Sequence, residues 1–102
     1  MDIIIQAQGF KSDNLEDLLR EKLEKLGHHA GKIIRANVTL SKGPEAELRN
    51  NYCEIRLEVP GNDHFVKKNS SSFEHAIAEC IDALQHMIER SMDKEMSGRY
   101  SN

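Results

Sequence analysis

The chain has 102 residues, room for one compact domain and one core. Hydrophobic residues make up 38% and charged residues 30%, with only 6 Gly and 2 Pro, a balance that excludes disordered and collagen-like chains. Fourteen Lys and Arg against seventeen Asp and Glu give a formal net charge of -3, so the chain is not a uniformly basic nucleic-acid binder and must meet any polyanion through a local patch.

The amino-terminal apolar run Ile3-Ile4-Ile5 follows Asp2 and is too short for a secretory signal, and no stretch approaches the roughly twenty apolar residues of a membrane span. A cytoplasmic location is therefore expected. Asp2 to Gln8 is β-branched and stops at Gly9, which predicts a mostly buried first strand. Ser12 and Asp13 then offer caps, and Leu15, Leu18, Leu19, Leu23 and Leu26 recur at helical spacing until Gly27, which predicts a helix over about 13–26.

From Ile34 to Ser41 the apolar residues Ile34, Ala36, Val38 and Leu40 alternate with polar ones, the pattern of a strand with one wet face. Lys42 to Asn51, with Gly43 and Pro44, has the composition of a loop. Alternation resumes at Cys53, Ile55, Leu57 and Val59, the turn signal Pro60-Gly61-Asn62-Asp63 follows, and His64 to Lys68 is predicted as a short fourth strand. Ser71 and Glu74 have capping-box spacing ahead of a stripe of Phe73, Ile77, Cys80, Ile81, Leu84, Met87 and Ile88, which predicts a helix over about 72–93. The aperiodic end, residues 97–102, is expected to form a flexible tail after a single domain over 1–96.

This order, β-α-β-β-β-α, predicts an α+β fold. A right-handed crossover makes the first strand pair parallel and two hairpins add antiparallel strands. Both helices carry a single apolar stripe, so both are expected on one face of a four-stranded mixed sheet, with the other face in water.

Enzymatic signatures are sparse. The sequence lacks GxGxxG, P-loop, GxSxG and HExxH motifs, and no enzyme activity, cofactor or small-molecule substrate is expected. His75, Glu79, Asp82 and His86 fall along one face of the second helix, a possible ligand array, but that face lies opposite the apolar stripe and reads better as solvated surface, so no metal site is assigned. Cys53 and Cys80 are each in phase with apolar neighbours and are expected to be buried, reduced thiols.

The distribution of charge is more informative than its sum. Lys25 to Pro44 contains no acid and carries Lys25, Lys32, Arg35 and Lys42 with His28 and His29, and the acid-free run His64 to Phe73 holds Lys67 and Lys68. The second helix is acidic, with Glu74, Glu79, Asp82, Glu89 and Asp93. Lys22 falls within the apolar stripe of the first helix, where a lysine buries its stem and presents its ammonium at the margin. Either a phosphate contact or an acidic neighbour satisfies such a lysine.

Leu23-Glu24-Lys25-Leu26, Val38-Thr39-Leu40-Ser41, Glu54-Ile55-Arg56-Leu57-Glu58-Val59-Pro60-Gly61, and Ala76-Ile77 with Asp82 and Leu84 occur within the same β-α-β-β-β-α order. In these features the chain resembles the ribosome hibernation-promoting factors, also called the ribosome-associated inhibitor or sigma-54 modulation protein family, over about residues 2–94. The resemblance implies a fold like a double-stranded RNA-binding domain and binding to the small ribosomal subunit in the channel of messenger and transfer RNA, which would inhibit translation in idle or stressed cells. It implies a short form without the added domain of longer members, with basic side chains on ribosomal RNA phosphates. The chain itself is expected to be a monomer or weak dimer. Lys22 and Lys25 match basic positions of the family's first helix, and Arg90 and Lys94 match basic positions of its second. Lys32, Arg35, Lys67, Lys68 and His86 complete the expected RNA-contacting set. Ala83 and His86 stand where many relatives have lysine and arginine, and Ser72-Phe73-Glu74 departs from the family's pattern ahead of the second helix. A different reading of the same fold is a protein-interaction module using the acidic second helix or the open sheet face.

Overall fold

The computed structural model describes residues 1–30 and 32–100, with the side chains of these except 29, 30 and 92–100. The elements are β1 (Asp2–Ala7), α1 (Asp13–Ala30), β2 (Arg35–Lys42), β3 (Asn51–Glu58), β4 (His64–Ser70) and α2 (Phe73–Tyr100). The strands lie in the order β1-β2-β3-β4, with β1 parallel to β2 and the other pairs antiparallel. This is the α+β mixed sheet expected from the hydrophobic pattern.

Strand polarity places the helices. Because β1, β2 and β4 run the same way, the chain leaves β1 and β4 at the same end of the sheet, and both helices begin there and run back across one face. The stacked rings of Phe10 and Phe73, 4.8 Å between centroids, join the two helix starts. Between helices and sheet, Leu19 and Leu23 of α1, Leu40 of β2, Ile55 and Leu57 of β3, and Ile77 and Leu84 of α2 are fully buried. Each such side chain contributes about 1.5–3 kcal/mol by leaving water. Alternate residues face the other way, which is why β2 and β3 alternate between buried and more open positions.

Four local features differ from the sequence expectation. β1 is a sheet edge, not a mostly buried strand: Ile3, Ile5 and Ala7 are half-buried under the helix layer and Ile4 is 44% exposed on the open face. α1 continues past Gly27, which has no positive φ; a Cβ there would lie 3.0 Å from Cε of Met1, so this glycine admits Met1 against the helix instead of ending it. The cap of α2 is Ser72 and not Ser71, since its Oγ accepts the His75 N–H at 3.2 Å while its carbonyl accepts the Ala76 N–H at 3.1 Å. Finally, α2 runs beyond Asp93 through Ser97–Tyr100, most of the expected tail, because Lys94, Glu95 and Met96 are good helix formers and no proline interrupts them. Residues 101 and 102 of that tail lie outside the described residues, and Lys94 lies outside the described side chains.

The turn signal at residues 60–63 does join β3 to β4. Gly61 there has φ +100°, a left-handed conformation that a side chain would strain.

Candidate nucleic-acid interface

On α1, Leu19, Leu23 and Leu26 form the buried row, and Leu15, Leu18 and Lys22 form a half-buried row beside it. Lys22 therefore sits at the margin of the stripe, as its spacing requires. Among the described residues no carboxylate lies within 4.0 Å of its ammonium, which favours the reading of a cation free to meet a phosphate. Lys25, one turn on, is exposed, with Nζ 3.3 Å from Oε1 of Glu21. Such an exposed i,i+4 pair is worth only about 0.3–0.5 kcal/mol and gives way readily to a phosphate. Lys32 is exposed on the connection to β2, where it borders a shallow depression with Glu24 and His28.

A second set meets across α2 and β4. Lys68 belongs to β4, while Ala83, His86 and Arg90 are on the helix, and the four line one open groove together with Glu79, Asp82 and Met87. Residues far apart in sequence are brought together because β4 feeds directly into α2, which folds back beside it. The two acids set the groove's electrostatics. Oδ2 of Asp82 lies 3.9 Å from Nδ1 of the exposed His86. Glu79 is met at 3.8 Å by Arg49 from the β2–β3 connection, which offsets its charge. Arg49 is the one member of this constellation that sequence reasoning missed; nothing local in a polar loop indicates that it reaches α2.

The remaining two candidates sit on the far side of the sheet. Arg35 and Lys67 project from the open face, so no single surface touches them and the α2 groove at once. Each is already engaged. Arg35 lies 3.2 Å from Glu58, and Lys67 lies 3.2 Å from Glu54 and 5.5 Å from the centre of the Tyr52 ring. The basic character of their segments is cancelled in space by acids of β3.

His75, Glu79, Asp82 and His86 are exposed along α2, and among the described residues no group of three or more His, Cys, Asp or Glu is close enough to hold a metal ion. Cys53 and Cys80, distant in sequence, are fully buried and adjacent in the core: the Cys80 thiol donates to the Cys53 carbonyl at 3.2 Å. Hydrogen bonding with Cys80 and burial push the Cys53 thiol far above the usual range, so it stays protonated. Among the described residues no helix is long and apolar enough to cross a membrane.

The architecture has counterparts of known structure. The N-terminal domain of Protein Y from Thermus thermophilus superimposes with a TM-score of 0.73 at 24% identity, over 88% of this chain and 98% of that one. A ribosomal subunit interface protein from Coxiella burnetii superimposes with a TM-score of 0.69 at 16% identity, over 91% of this chain and 99% of that one. At these identities the likeness is one of fold. No curated protein matches the chain in sequence. The family model of the sigma 54 modulation protein / S30EA ribosomal protein matches residues 3–96, nearly the whole of the described fold, and the chain belongs to that family.

Proposed function

We propose that this protein is a cytoplasmic, non-enzymatic ribosome-associated translation inhibitor of the hibernation type, which binds the small ribosomal subunit through basic contacts to ribosomal RNA. The observation that carries this reading is the convergence of Lys68, His86 and Arg90 in one groove beside α2, on the helix-bearing side where Lys22 and Lys25 also project. Family membership supports it, as does the likeness to a protein described as a ribosomal subunit interface protein.

In mechanism, these cations and Lys32 neutralise phosphates along a shaped backbone, an interaction that needs no base-edge readout. Lys94, on the same helix, is assigned to the same role. Arg35 and Lys67 act at most as secondary contacts, since an RNA phosphate would have to displace Glu58 or Glu54 to reach them. Occupation of the subunit's RNA channel then excludes the ligands of initiation. The inhibitor is expected to be weak, because Glu79 and Asp82 share the groove and Ala83 supplies no charge.

The decisive experiment is sedimentation of the purified protein with ribosomes over a salt series. Co-migration with the small subunit that fades steeply with salt is expected, and the Lys22→Glu, Lys25→Glu double variant should lose it while retaining its fold by circular dichroism. Absence of binding at low salt would overturn the reading in favour of a protein-interaction module.

A further inference from the structure

The two edges of the sheet are protected unequally. β4 carries the adjacent cations Lys67 and Lys68, a common protection against strand addition, whereas β1 has no charged residue after Asp2. Among the described residues, three of the five exposed large hydrophobic side chains, Met1, Ile4 and Ile34, belong to β1 or its immediate surroundings. We propose that β1 is a pairing edge for a second copy of this chain, joining two sheets into one of eight strands through an antiparallel β1–β1 contact.

The backbone sets the register. The Asp2 N–H donates to the Ile34 carbonyl at 3.2 Å and the Gln8 N–H to the Leu40 carbonyl at 3.0 Å, so even-numbered residues of β1 turn their backbone groups toward β2. By the alternation of a parallel ladder, the odd-numbered residues Ile3, Ile5 and Ala7 turn theirs outward to the free edge. A twofold axis through Ile4 satisfies them: Ile3 of one copy exchanges both hydrogen bonds with Ile5 of the other, and Ile4 faces Ile4 as a non-hydrogen-bonded pair. On the helix side this register sets the half-buried Ile3 and Ile5 against each other. On the open face it joins the two Ile4 side chains and places Asp2 opposite Gln6, an acceptor opposite an amide donor. The twofold also puts all four helices on one face of the joined sheet. Pairing β1 with β4 of another copy would instead confront the apolar strand with Lys67 and Lys68, and would propagate without closing.

A six-residue strand pair buries less than the roughly 1,200 Å² of a stable complex, so the association is weak and concentration-dependent. Sedimentation equilibrium of the wild-type protein tests it directly: the average mass should rise with concentration from 11.6 kDa toward twice that value. Ile4→Lys, a change at an exposed position, should weaken the association at least about tenfold by setting two like charges face to face, without lowering thermal stability. Register is read by mild oxidation of Ile4→Cys, whose thiols would meet across the axis at a Cα separation of about 4.5 Å, within disulfide reach. Gln6→Cys should cross-link only with Asp2→Cys. The native Cys53 and Cys80, buried in the core, stay silent. A monomer at every concentration, or cross-linking of Ile4→Cys no faster than that of Gln6→Cys alone, would overturn the proposal. Neither outcome bears on ribosome binding.

Discussion

Arg35 and Glu58 are cross-strand partners in the β2–β3 ladder, and their side chains meet at 3.2 Å on the open face of the sheet. The amide of Asn37 donates to the same carboxylate at 2.9 Å, so Glu58 gathers two donors from the neighbouring strand. In sequence Arg35 belongs to a twenty-residue stretch without an acid; in space it is neutralised.

The consequence for Arg35 is structural before it is functional. Arg35→Ala should lower stability by up to about 1 kcal/mol in urea unfolding, the range for a partly exposed pair. Ribosome binding of the same variant should change less than about twofold, against the loss expected for Lys22→Glu with Lys25→Glu. A large binding defect in Arg35→Ala would place RNA on the open sheet face.

The groove beside α2 is open to improvement. Ala83→Lys and His86→Arg restore the charges that the resemblance places there, on half-buried and exposed positions that tolerate them. Each should tighten ribosome binding at low salt and steepen the dependence of log K on log salt by about 0.7–0.9, the increment for one added phosphate contact. An unchanged slope would show that the groove does not touch phosphate.

Cys53 predicts a pH dependence of stability. Its thiol pKa is raised in the folded state above the ordinary value of 9.0, so above that pH the unfolded chain loses a proton that the native protein keeps. The sign follows: this contribution is fully present below pH 9 and is lost as pH rises, at up to about 1.4 kcal/mol per unit, and is partly offset by Cys80, whose thiol the same hydrogen bonding shifts downward. Urea unfolding at pH 8, 9 and 10 should show a decline that is shallower in Cys53→Ala.

The capping register of α2 is testable by a pair of neighbouring serines. Ser72→Ala should cost about 1 kcal/mol, because the His75 N–H loses its acceptor. Ser71→Ala, at an exposed position outside the cap, should fall within about 0.5 kcal/mol of wild type. Equal costs would return the cap to the Ser71–Glu74 spacing.

Most of the architecture is legible in residue periodicity. Ala36, Val38 and Leu40 against Asn37, Thr39 and Ser41 place β2 and its two faces without help from any other segment, and the leucines of α1 do the same for the helix. Helix ends were less legible. Gly27 reads as a stop until the approach of Met1 is known, and Ser71 reads as a cap until Ser72 is seen to accept the hydrogen bond. Both depend on what lies beside the backbone, which composition does not record.

The sequence by itself determined the element order, the single apolar face of each element and hence the α+β sandwich of two helices on a mixed sheet, because burial obeys periods of 2 and 3.6 residues. Only the tertiary structure decided which charges remain available. Antiparallel register set Glu58 against Arg35 and Glu54 against Lys67, while the return of α2 beside β4 gathered Lys68, His86 and Arg90 with Arg49 close by. Electrostatic energy depends on distance in space, and strands that pair across a sheet bring together residues that no linear charge map makes neighbours.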